Sequence, residues 1–131
     1  MDEAKHKGVL TVNAPNPMPH IFPQAVVTTN GFVFCSGSIA MDPKTLKLID
    51  GDIQAHTHQV IRNLSAVLEA AGSSLKKIVK INIFLDDMDN FNKMNEVYTQ
   101  YFTENLPCRT CVAVKALPLH TDIEMECTAM L

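Results

Sequence analysis

Two charged side chains near the C-terminal end have the most chemistry to offer: Arg109 in "LPCRTCVAV" and Glu124 in "TDIEMEC". An arginine fork suits a carboxylate, which it grips bidentately, and a glutamate suits proton transfer to and from a water. Arg109 begins one β-rich run and Glu124 lies in the next, across the short connection "ALPLHTD". If the two strands are antiparallel neighbours, both side chains reach one pocket. An edge salt bridge between them is the plainer alternative, and pattern alone leaves both open.

The remaining candidates are weaker. Cys108 and Cys111 form a Cys-x-x-Cys, yet on a strand positions three apart point to opposite faces, so the sulfurs can neither bridge nor share a metal. A redox pair would sit at a helix N-terminus, and a zinc site would need a second pair of ligands. His56 and His58 fall about 200° apart around a helix and read as solvated. His6, His20 and His120 read as loop residues, and no histidine receives a role. Asn95 lies on the apolar side of a predicted helix, as a satisfied buried amide or as a functional group. The turn Ser36-Gly37-Ser38 can offer backbone N–H groups to an anion, although tight turns outnumber anion sites.

The elements that must position these residues follow from periodicity. Pro15, Pro17, Pro19 and Pro23 remove backbone donors and make Asn13 to Gln24 a loop or extended arm. Ala25 to Thr28 and Phe32 to Ser36 read as a hairpin around Asn30-Gly31, a type I′ signal. Helical spacing from Ile53 to Ala71 predicts a long helix, capped by Asp50 or Asp52 and closed by Gly72. "IVKINIFL", Ile78 to Leu85, is apolar on both faces and reads as a central strand. A second helix opens at Asp89 or Asn90 and buries Phe91, Met94, Asn95, Tyr98 and Phe102, with Pro107 beyond its end. Strands at Arg109 to Lys115 and Asp122 to Met130 finish the chain, the last with Ile123, Met125, Cys127 and Ala129 on one face. The order predicts an α+β two-layer sandwich, a mixed sheet with two helices on one face, over a single domain 1–131. The sheet's other face would still show apolar side chains to water, which predicts self-association and makes clefts between subunits candidate sites.

Composition narrows the function classes. A chain 47% hydrophobic and 19% charged is that of a packed globular domain. A formal net charge of −3 supplies no general positive field for phosphates, so nucleic acid is a poor default partner. No apolar run approaches the roughly 20 residues of a membrane helix. The start, "MDEAKHKGVL", carries Asp2 and Glu3 and no secretory or mitochondrial pattern, which points to a cytoplasmic protein with reduced cysteines, a mitochondrial role not being excluded.

The segment "PCRTCVAVKALPLHTDIEMECTA" closely resembles the signature of the reactive intermediate deaminase family, Rid or YjgF. Pro107, Arg109, Thr110, Val112, Val114, Leu117, Pro118, Ile123, Glu124, Met125 and Glu126 all fit it. The resemblance extends through "FVFCSGSIAMDPKT" and the two helices with the strand between them. It implies a chorismate-mutase-like fold assembled as a homotrimer with sites between subunits. The implied activity is cofactor-independent hydrolysis of 2-imino acids such as 2-iminobutanoate and 2-iminopropanoate to 2-keto acids and ammonia. By motif, Arg109 would bind the substrate carboxylate, the main chain of Cys111 the imine nitrogen, and Glu124 the attacking water. Phe22, Ser36, Gly37, Ser38 and Asn95 would complete the pocket.

The chain departs from that pattern at two places. Phe22 in "IFPQA" keeps the ring of the family's tyrosine without its hydroxyl, and "SGSIA" has Ser38 for an amide and Ala40 for a proline. These departures leave a second reading, a trimer that binds small carboxylates or acts on other proteins as a chaperone-like regulator. A ribonuclease or translation-inhibitor role, attached to some relatives, has no basic stripe or aromatic platform to support it.

Overall fold

Asp52 and Gly72 bound the longest helix as expected, and the computed structural model, which describes residues 5–131, shows how. The Asp52 carboxylate accepts from the Ala55 N–H at 3.0 Å, and Gly72 turns left-handed (φ 89°) to close helix α1, Ile53–Ala71. Asp2 and Glu3, from which the N-terminal address is read, lie outside the described residues. No helix among the described residues is long and apolar enough to cross a membrane.

The strands are β1 (His6–Val9), β2 (Ala25–Thr28), β3 (Phe32–Ser38), β4 (Ile78–Leu85), β5 (Cys108–Ala113) and β6 (Ile123–Met130). Helix α2, Phe91–Tyr101, joins β4 to β5. The single mixed sheet has the order β1-β2-β3-β6-β4-β5, with only β4 and β5 parallel. Both helices pack on one face, where Ile81, Ile83, Leu85, Ile123 and Met125 meet Ile61, Leu64 and Leu68 of α1 and Met94 of α2. Each such side chain contributes about 1.5–3 kcal/mol by leaving water. The two-layer α+β architecture is therefore as the sequence predicted.

Several details differ. Strand β1 carries "HKGV", too polar and too short to signal itself, yet it pairs antiparallel with β2 as an edge. The β2–β3 loop is not type I′: Gly31 alone is left-handed (φ 90°), and its N–H donates to the Thr28 carbonyl at 3.1 Å. This is a type I turn closed by a left-handed glycine. A 3-10 turn, Met88–Asn90, precedes α2, and the cap is the Asp87 carboxylate on the Asp89 N–H at 2.8 Å.

Strands β5 and β6, expected as antiparallel neighbours, are kept apart in the sheet. They are not neighbours, because β4 lies between them and pairs with both. Ile81 stands beside Arg109 and Phe84 beside Glu124, so the two charged residues are displaced across the sheet and along it. They also use opposite faces. Arg109 reaches α2, whereas Glu124 alternates with the buried Ile123 and Met125 and emerges on the open side. On that side Phe34 is 45% and Val112 41% exposed in the single chain.

Candidate active site in two halves

One half gathers around Glu124. Strand β3 departs from regular pairing between Cys35 and Ser38, so Ser36 and Gly37 together oppose the single residue Glu126. This bulge sets the backbone of Gly37 against the Glu124 carboxyl. A Cβ added at Gly37 would lie 2.9 Å from Cδ of Glu124 and 3.0 Å from its Oε2, so only glycine leaves the carboxyl where it is. Ser36 donates its hydroxyl to the Pro23 carbonyl at 2.8 Å and its N–H to the Gln24 carbonyl at 2.9 Å.

Those bonds fasten the proline-rich arm over the bulge. Gln24, buried and unremarked in the sequence, does the rest: its amide donates to the carbonyls of Ala14 (2.7 Å) and Thr11 (3.0 Å) and accepts from the Thr11 N–H (2.7 Å). The arm, the bulge and α1 enclose a cavity of about 440 Å³. Phe22, Ser36, Gly37, Ser38 and Glu124 all line it. Its buried lining includes Met41, Leu64 and Val67 together with Gln24 and Asn63, whose amides are spent on main-chain carbonyls of the chain itself.

Burial pushes the Glu124 carboxyl above its ordinary value of 4.5, and the nearby Glu126 charge pushes it further the same way. A carboxylate held there is a stronger base than one in open water. The Gly37→Ala variant is expected to turn the carboxyl aside and lower turnover about a hundredfold, with little change in melting temperature, since a side-chain end yields more easily than backbone. Steady-state rates beside a thermal melt check this.

The other half gathers around Arg109, on the edge strand β5. Its guanidinium donates to Asn95 Oδ1 at 2.6 Å and lies over the rings of Tyr98 (4.8 Å) and Phe91 (5.5 Å). Asn95 thus sits half-buried at the margin of α2's buried face, with its side-chain oxygen on the guanidinium. Cys111, two residues on and on the same face, packs partly against the core. Burial raises its thiol pKa, with Arg109 opposing. Val114 donates to the Leu85 carbonyl, so by strand alternation Val112 and Thr110 turn their main chain toward β4. Arg109, Cys111 and Ala113 turn theirs to the free edge, where the Cys111 carbonyl is available to a ligand.

Cys108 lies on the opposite side, its thiol donating to the Val79 carbonyl at 3.2 Å, as strand geometry required. The histidines correct the sequence reading. His56 is bound, not solvated: Nδ1 meets Asp122 Oδ1 at 2.7 Å and Nε2 meets the Ile49 carbonyl at 3.0 Å, which ties α1 to the start of β6. His58 Nδ1 meets the Tyr101 hydroxyl at 2.6 Å. Neither partnership has a local sequence signal, since both cross between distant elements.

A two-layer chain with a bulge-backed carboxylate beside a largely apolar cavity and an arginine fork on its free sheet edge holds two groups suited to a small carboxylate, set apart within one chain. The family model described as endoribonuclease L-PSP matches residues 11–131, and the chain belongs to this family, the Rid/YjgF proteins. Among its relatives, the RutC family protein PH0854 of Pyrococcus horikoshii is 46% identical over 121 residues, 92% of this chain and 94% of that one. The crystal structure of YyfA from Yersinia pestis, of the conserved Rid protein family, is 36% identical with a TM-score of 0.90, over 96% of this chain and 99% of its own. Escherichia coli TdcF, solved with bound serine, is 34% identical with a TM-score of 0.85, over 95% and 98%. Family membership supports a function of the imine and enamine deaminase type.

Proposed function

We propose that this chain hydrolyses small 2-imino acids, 2-iminobutanoate and 2-iminopropanoate among them, in clefts between the subunits of a homotrimer. The observation that carries this reading is the separation of the two halves. Arg109 and Glu124 are both presented to ligand, yet β4 and the thickness of the sheet keep them apart within one chain. The free edge of β5 set against the cavity of a neighbouring subunit completes the site and covers the apolar open face at the same time.

In that cleft Arg109 holds the substrate carboxylate through its fork, and the Cys111 carbonyl accepts an N–H of the protonated imine. Glu124 takes a proton from a water as the water oxygen bonds to C2 and the C=N π electrons move to nitrogen. The carbinolamine then receives the proton from Glu124 on nitrogen. The C–N bond breaks, its electrons leave with ammonia, and the remaining hydroxyl proton passes out as the 2-keto acid forms. The iminium is electrophilic already, so the protein's contribution is position and proton transfer. Phe22 supplies an apolar wall without a phenol, and Ser38 leaves room that a longer side chain would fill.

A non-catalytic trimer that holds small carboxylates is favoured by one feature: the Ser36 hydroxyl is committed to Pro23 and Phe22 has none, so Glu124 stands with few partners for moving protons. Ammonia release from 2-iminobutanoate, generated in situ by a threonine dehydratase, separates the readings. The wild type accelerates release and Arg109→Ala and Glu124→Gln do not, with the mass of a trimer in all three by light scattering. Failure of the wild type to exceed buffer would remove the catalytic reading. A single-stranded RNA added to the same preparations is expected to remain intact.

The acid limb of the rate profile follows from the carboxyl's surroundings. Glu124 must be ionised to accept a proton, so kcat/KM is expected to fall with a midpoint above 4.5 as pH is lowered. Glu126→Gln removes the neighbouring charge and shifts that midpoint downward. Initial rates from about pH 4 to pH 8, corrected for hydrolysis in buffer, read both.

A further inference from the structure

Two leucines are placed where neither burial nor backbone preference explains them. Leu46 (φ 58°) and Leu119 (φ 54°) both hold left-handed backbone that an L side chain disfavours. Both are largely exposed in the single chain, 42% and 62%. Glycine would satisfy the backbone at either position, and a polar residue would satisfy the solvent. Both leucines line the cavity that holds Glu124, one from the loop after the bulge and one from the turn before β6.

We infer that Leu46 and Leu119 form an apolar collar that selects imino acids with long or branched hydrocarbon side chains over those with a methyl group. The inference rests on the proposed imine site and names its substrate class. When the carboxylate lies on the neighbour's Arg109 and C2 faces the water on Glu124, the remaining substituent on C2 points into the cavity. The cavity has space for on the order of ten waters, so a methyl group leaves most of it wet. An isobutyl or benzyl group fills it against Ile39, Met41, Leu64 and Val67 and meets the collar at the mouth. Glu124 is the one charged residue in the lining, and the buried amides of Gln24 and Asn63 are already hydrogen-bonded within the chain, so the substituent the cavity fits is hydrocarbon.

The test supplies imines of alanine and leucine with an L-amino acid oxidase and catalase. The wild type is expected to show kcat/KM for the leucine imine about tenfold or more above that for 2-iminopropanoate. Leu46→Gly and Leu119→Gly each lower kcat/KM for the leucine imine about tenfold more than for 2-iminopropanoate, mainly through KM. Each also keeps or raises the melting temperature, since glycine relieves the left-handed backbone. A wild type that prefers the methyl substrate, a uniform loss on both imines, or loss of the trimer in the variants would each overturn the proposal. Titration of the wild type with pyruvate and with 4-methyl-2-oxopentanoate decides the same question without turnover. Tighter binding of the branched keto acid, about tenfold, supports the collar even where no imine is hydrolysed, and equal binding overturns it.

Discussion

Glu124→Gln is expected to lower the rate of imine hydrolysis by about 10²–10⁴-fold, the range that a positioned general base supplies. The amide keeps the size and most contacts of the carboxylate, so the loss isolates proton transfer. Stability should move the other way. The folded chain holds a proton on Glu124 more tightly than the unfolded chain, because burial first and Glu126 second raise its pKa above 4.5. That contribution is complete below the unfolded value and is lost as pH rises through the folded one. At pH 7 the carboxylate is therefore a burden on the fold, and the neutral amide should melt higher. A variant both slower and more stable identifies a functional residue; one that is slower and less stable would point to a structural role instead.

Arg109→Lys is expected to cost about a hundredfold in kcat/KM, since lysine keeps the charge and loses the planar fork. A charge-assisted hydrogen bond is worth about 1.5–3 kcal/mol, and the lysine surrenders one of two to the carboxylate. It also loses the bond to Asn95 and the stacking on Tyr98 that hold the guanidinium in place. A further test uses the division of the site. Subunits of Arg109→Ala and Glu124→Gln, each inactive alone, are unfolded together and reassembled. If each cleft takes its arginine and its glutamate from different subunits, about a quarter of the clefts in randomly mixed trimers are intact. Recovery near that fraction is the expected result, and no recovery would place both residues in one chain's site.

Much of the architecture is written in local pattern. Asp52, Gly72 and the apolar spacing between them define α1 without reference to anything else in the chain. The β-branched run from Ile78 to Leu85 gives β4 its bounds, and alternation along β6 separates the buried Ile123, Met125, Cys127 and Ala129 from Glu124 and Glu126. What was not legible lacks apolar periodicity. Strand β1 exists because β2 offers it a free edge, and His56 is held because Asp122 and Ile49 are brought to it by folding.

The sequence by itself determined the layers and the family, and it nominated the side chains with chemistry to offer, because residue type and periodicity are local properties. Only the tertiary structure decided that Arg109 and Glu124 stand apart. Strand order depends on which edges pair, and β4 enters between β5 and β6, where both of its edges are hydrogen-bonded and Ile81, Ile83 and Leu85 lie under the helices. The Gly37 bulge, the arm fastened by Gln24, and the placement of Leu46 and Leu119 around one cavity were settled there too. Each depends on contacts between segments far apart in the chain, which no local spacing encodes.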